Sequence, residues 1–161
     1  MTVGRVSVDL YGVEAGASFG GDQTFSKSVG GSPSNVAVAA AKLGNKTVLL
    51  TKVGADPLGK YIVEKLKSWG VDTTYVSTEP NGLTPVVLAA LDPPEDPKLI
   101  FHRQPNAPDT TIDSASVPQD LIENCGVFWM SGCALSTGAT AKSSFKWLEQ
   151  RGRKKHTVID L

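Results

Sequence analysis

Residues 30–44, Gly-Gly-Ser-Pro-Ser-Asn-Val-Ala-Val-Ala-Ala-Ala-Lys-Leu-Gly, constrain the fold more than any other stretch of this chain. Ser32 as N-cap and Pro33 as first helical residue open a helix in the favoured way, and Gly44 closes it. Its body, Val36–Ala41, is apolar almost all round, which predicts a helix buried between other elements. Such a helix requires a sheet to lie on, and the flanking sequence supplies one. Residues 3–10 and 47–53 read as strands, and Asp56-Pro57 caps a helix with Leu58, Tyr61, Ile62, Leu66 and Trp69 at helical spacing, stopped by Gly70. Residues 84–91 and 98–103 predict a hairpin joined by the Pro-rich turn 92–97. A short helix near 119–124, a strand at 127–130, a helix marked by Ala141, Phe145 and Leu148, and a strand at 157–161 follow. Strands alternating with helices predict an α/β class built on a parallel sheet with right-handed crossovers. Residues 11–29, rich in Gly, Ser, Thr and acidic side chains, read as a surface flap.

Charge narrows the function. Sixteen Lys and Arg balance sixteen Asp and Glu, with no run of like sign, so a nucleic-acid or membrane-surface partner is not expected. The longest apolar run is far short of the roughly 20 residues of a membrane span. The N-terminus lacks a secretory pattern, and Cys125 and Cys133 fit neither redox nor zinc spacing. The expectation is a cytoplasmic domain with two buried thiols.

The candidate site lies where the glycines meet the helix. Gly30 and Gly31 let a ligand approach the backbone, and the free N–H groups of the first helical turn face it. Asn35 offers a donor and an acceptor, which suits a hydroxyl. Asp9, placed at the end of the first strand, accepts hydrogen bonds from adjacent hydroxyls of a polyol. Two bland readings stand beside these: Asn35 as a second cap, and Asp9 as a strand-end carboxylate satisfying loop N–H groups.

The order Asp9, Gly30-Gly31-x-x-x-Asn35, Lys42-Leu43-Gly44, Val53-Gly54-Ala55-Asp56-Pro57-Leu58-Gly59 resembles the N-terminal half of a ribokinase-like carbohydrate kinase of the PfkB family, over essentially all 161 residues. Gly4-Arg5, Thr24-Phe25-Ser26-Lys27, Phe101-His102-Arg103 and Ser131-Gly132 are similar to the sugar-acid branch of that family. The resemblance implies an α/β/α sandwich with a Rossmann-like parallel sheet, and a small β lid near residues 11–29 and 84–103. It implies an ATP- and Mg²⁺-dependent kinase acting on the primary hydroxyl of a sugar acid. The first choice of acceptor is 5-dehydro-2-deoxygluconate, from inositol catabolism, and ketodeoxygluconate the second. A homodimer through the lid is implied as well. Sugar-contacting roles fall on Asp9, Gly30, Gly31 and Asn35. Arg103 is the candidate for the acid end, sharing a strand face with Leu99 and Phe101, with a surface ion pair as its bland alternative, and Ser131-Gly132 is either pocket floor or a plain turn.

Two stretches imitate catalytic motifs. Gly54–Lys60 satisfies G-x-x-x-x-G-K, but Tyr61 follows where Ser or Thr must hold Mg²⁺, Asp56 opposes phosphate and Pro57 lacks an N–H, so it reads as a capped turn. Gly20-Gly21-Asp22 echoes the family's glycine-rich catalytic Asp motif, which in the family lies far downstream. No catalytic residue is therefore assigned within 1–161. The reading is the sugar-recognition half of a kinase, catalytically incomplete by itself. A non-catalytic sugar-binding module is the alternative.

Overall fold

The computed structural model describes residues 1–91, 96–152 and 155–161. A parallel sheet forms the centre, in the order β10 (His156–Asp160), β9 (Val127–Ser131), β1 (Thr2–Val3), β4 (Thr47–Gly54), β5 (Val71–Asp72). β6 (Val76–Glu79) continues the β4 edge. Alternation along β4 sends successive leucines to opposite faces. Leu49 packs with Ala37 of α1 (Ser32–Lys42) and with Ile62 and Leu66 of α2 (Pro57–Ser68). Leu50 packs with Ile122 of α3 (Gln119–Asn124) and Trp147 of α5 (Gly138–Arg151). The result is a three-layer α/β/α arrangement. A four-residue helix, α4 (Cys133–Ser136), bridges β9 to α5.

A second sheet stands apart, in the order β3 (Phe25–Gly30), β2 (Ser7–Gly12), β7 (Val86–Ala90), β8 (Lys98–His102). This is the lid. The predicted hairpin forms, with β7 and β8 antiparallel, while most of its turn (92–95) falls outside the described residues.

The structure corrects several sequence expectations. The first strand is two strands in two sheets: Gly4, at φ +141°, turns the chain between them, and a Cβ there would collide with Ser131. Asp9 therefore sits inside a lid strand, not at the end of a core strand, and β2 extends the lid back to residue 7. α1 is covered on one side only: Pro33, Ser34 and Ala37 are buried whereas Ser32, Asn35 and Ala39 are exposed. Its N-cap is Gly31, and the hydroxyl serving the turn is that of Ser34, which donates to the carbonyls of Gly30 (2.9 Å) and Gly31 (2.7 Å). On α5 the buried face carries Thr140, Ser143, Ser144, Trp147 and Arg151, while Phe145 is 57% exposed. Cys125 is half-buried and Cys133 exposed, so the buried-thiol expectation fails. Among the described residues no helix is long and apolar enough to cross a membrane.

Candidate functional site

Strand periodicity builds the site. Ser7, Asp9 and Tyr11 share one face of β2. The register sets Asp9 beside Ser28 and Val87, Val87 beside Phe101, and Ala89 beside Leu99, so one lid face runs from hydroxyls through a carboxylate to an apolar edge. All of these but Ser28 line a cavity of about 130 Å³, together with Arg5 and Gly31. Asp9 accepts from the Ser7 hydroxyl at 2.7 Å and from the Tyr11 phenol at 3.3 Å. Burial, then the Asp9 charge and hydrogen bond, push the Tyr11 phenol above its ordinary pKa, which keeps it a donor. A carboxylate has about four lone-pair sites, so two neighbours leave acceptor capacity for a ligand.

The two glycines close this corner. Gly30 faces Asp9 so directly that a Cβ would fall inside the carboxylate. Gly31, at φ +103°, lies against the carbonyl of Arg5 with no room for a side chain. The Arg5 guanidinium stacks over the Phe101 ring at 5.3 Å.

Asp9, Gly30, Gly31 and Phe101 thus come together, as expected of neighbours in one site. Asn35 and Arg103 do not join them. Asn35 is exposed and absent from the cavity wall, its backbone N–H returning to Gly31. Arg103 lies one residue past β8 and turns to Asp109, with Nη2 2.6 Å from Oδ2 and Nε 3.3 Å from Oδ1. Those hydrogen bonds outweigh burial and hold the Arg103 guanidinium even more firmly protonated than usual. Arg103 instead borders a larger cavity, about 680 Å³, between α2 and the lid, with Asp56, Leu58, Thr84 and Phe101. Size alone favours the larger space. The smaller one is where polar groups converge, with Arg5, Ser7, Asp9 and Tyr11 in its wall. Sequence reasoning assigned no site role to Ser7, Tyr11 or Arg5; the first two carry the period-two signal of Asp9, and Arg5 entered only as part of the Gly4-Arg5 resemblance.

The Gly54–Lys60 turn is structural. Asp56 caps α2, accepting from the N–H of Gly59 at 2.8 Å, and also ties down Thr84 through its N–H (2.7 Å) and hydroxyl (2.9 Å). A carboxylate thus holds the N–H that a phosphate would need. Burial alone would raise its pKa, but these hydrogen bonds prevail and hold it low, and hence anionic. Residues here do not fit ATP or its Mg²⁺. Gly20 and Gly21 lie in an exposed turn and bend of the lid loop. Ser131 ends β9 with its hydroxyl buried and unpaired against Gly4.

A central parallel sheet with a β lid over a carboxylate pocket defines a ribokinase-like sugar kinase fold. The pfkB family carbohydrate kinase profile matches residues 1–160, and the chain belongs to that family. Curated relatives from Geobacillus thermodenitrificans and Bacillus anthracis, both named 5-dehydro-2-deoxygluconokinase, are 32% identical over 160 residues. That is 99% of this chain and 47% of each relative, so the chain spans about half their length. Among solved structures, a sugar kinase from Pyrococcus horikoshii superposes with TM-score 0.87 at 24% identity, covering 99% of this chain and 54% of that one. Fructokinase from Xylella fastidiosa gives 0.84 at 22%, covering 99% and 50%. A putative ribokinase from E. coli, solved with ATP and Mg²⁺, gives 0.84 at 20%, covering 98% and 50%.

Proposed function

We propose that this chain is the acceptor-binding half of a sugar-acid kinase, with 5-dehydro-2-deoxygluconate as substrate and ketodeoxygluconate next in order. The observation that carries this reading is the Asp9 cavity: a carboxylate flanked by Ser7 and Tyr11, pressed against Gly30, with free acceptor capacity toward an open mouth. Adjacent hydroxyls of a sugar donate to Asp9, Gly31 lets the ring approach the start of α1, and Phe101 covers an apolar edge. At about 130 Å³ the cavity encloses part of a monosaccharide, and the remainder stands in its mouth.

Transfer of the γ-phosphoryl group of ATP to the primary hydroxyl needs a base and charge stabilisation at the transferring phosphate. In this reading those groups lie outside residues 1–161, so the chain alone binds the sugar without turning it over. The names of the curated relatives support the substrate, and a step in inositol breakdown, carried out in the cytoplasm, is proposed along with it. The exposed Ile100 of β8, which is absent from the Asp9 cavity wall, supports pairing of two lids in a homodimer.

Calorimetry on the 161-residue chain tests the site. Wild type is expected to bind 5-dehydro-2-deoxygluconate, Asp9→Asn to bind it at least about tenfold more weakly, and neither to bind ATP. Equal affinity of the two proteins would sink the Asp9 site. ATP binding abolished by Lys60→Ala would return the Gly54 turn to consideration.

A further inference from the structure

We propose that Arg5, stacked on Phe101, receives the carboxylate of the acceptor, so that one cavity reads both ends of a sugar acid; this deepens the sugar-site reading above and rests on it. The first ground is charge. Arg5 is half-buried, and the ion pairs among the described residues are Lys52–Glu79, Lys60–Glu64 and Arg103–Asp109, none of which involves it. Its Nε–H is buried with no hydrogen-bond partner. A guanidinium partly removed from water with no carboxylate in ion-pair contact is costly, and an anion that reaches it from the cavity relieves that cost.

Orientation is the second ground. The Arg5 guanidinium carbon lies 5.3 Å from the centre of the Phe101 ring, a contact that anchors the side chain at the cavity wall, and a guanidinium fork matches the two oxygens of a carboxylate. Position is the third. Arg5 and Asp9 border the same cavity with Ser7 between them in sequence. The Asp9 charge repels an acid and attracts hydroxyls, so a ligand with both must place its acid end at Arg5. Arg103, the sequence-based candidate, is already neutralised by Asp109. A single guanidinium beside a carboxylate also suits a singly charged acid better than a dianionic sugar phosphate.

The test compares three ligands on the 161-residue chain by calorimetry: 5-dehydro-2-deoxygluconate, its uncharged amide, and 2-deoxyglucose 6-phosphate. Arg5→Gln is expected to weaken the acid about 10- to 100-fold while leaving the amide within about twofold. Arg5→Lys, which keeps the charge and loses the fork, is expected to fall between. Equal weakening of acid and amide would make Arg5 a packing residue and overturn the assignment, leaving the sugar site intact. Tighter wild-type binding of the phosphate than of the acid would overturn it too. Should Arg5→Gln fail to fold, an unchanged acid-to-amide ratio in Arg5→Lys is decisive against it. Wild-type binding of neither acid nor amide would remove the sugar site itself and this assignment with it.

Discussion

Two adjacent glycines do different work. Gly30 has ordinary backbone angles and is glycine because the Asp9 carboxylate occupies the space of its side chain; Gly31 is glycine because of its conformation, φ +103°, and the Arg5 carbonyl behind it. Gly31→Ala is therefore expected to cost about 1–3 kcal/mol of stability, read as a lowered urea midpoint. A midpoint within error of wild type would show that the backbone relaxes there freely. The glycine pair was legible as a short pattern, and its meeting with Asp9 was given only by the family resemblance, because it rests on pairing of β2 with β3 across some twenty residues. The exposure of Asn35 and the capture of Arg103 by Asp109 were not, because each depends on where a side chain turns after the backbone is placed.

Among the elements, α2 was the easiest to read and α5 the hardest. Asp56, Pro57 and Gly70 bound α2 as expected, since caps and stops act through local backbone groups. Asp56→Ala removes a cap and the tie to Thr84, and is expected to cost about 1–2 kcal/mol. The pH dependence follows from the sign of its shift. The folded carboxylate titrates below the ordinary value of 3.8, so its contribution is complete above that value and is lost as pH falls through the folded one. Acid titration of stability should lose part of its slope below about pH 4 in Asp56→Ala; an unchanged slope would contradict the cap's role.

The α5 face inverts the usual pattern. Thr140 accepts from the N–H of Ile112 (2.9 Å) and donates to the Asp109 carbonyl (2.7 Å), and Ser143 and Ser144 donate to the carbonyls of Ile112 and Ala134. Arg151 donates to the carbonyls of Ile122, Cys125 and His156. A helix that packs on loops meets unsatisfied backbone groups, and hydroxyls answer them better than methyls do. Phe145, at the apolar spacing, is left outside.

Assembled, the chain leaves an apolar margin at the β10 edge, where Val158, Ile159 and Leu161 are 44%, 41% and 103% exposed, with Val127 at 48% on the next strand. An exposed apolar edge strand pairs with whatever strand it meets. The isolated chain is expected to self-associate at high concentration, and Ile159→Lys to reduce this in sedimentation; identical profiles would place the contact elsewhere. The α/β class, the order of most elements, the capped turn at Asp56 and the glycine pair ahead of α1 followed from the amino-acid order, because periodicity, capping and glycine conformations are local properties. The division of the first strand between two sheets, the partners of Arg5 and Arg103, and the polar underside of α5 arose only on packing. They depend on which distant carbonyls, rings and carboxylates the fold brings within a few ångströms, and no short stretch of sequence encodes that.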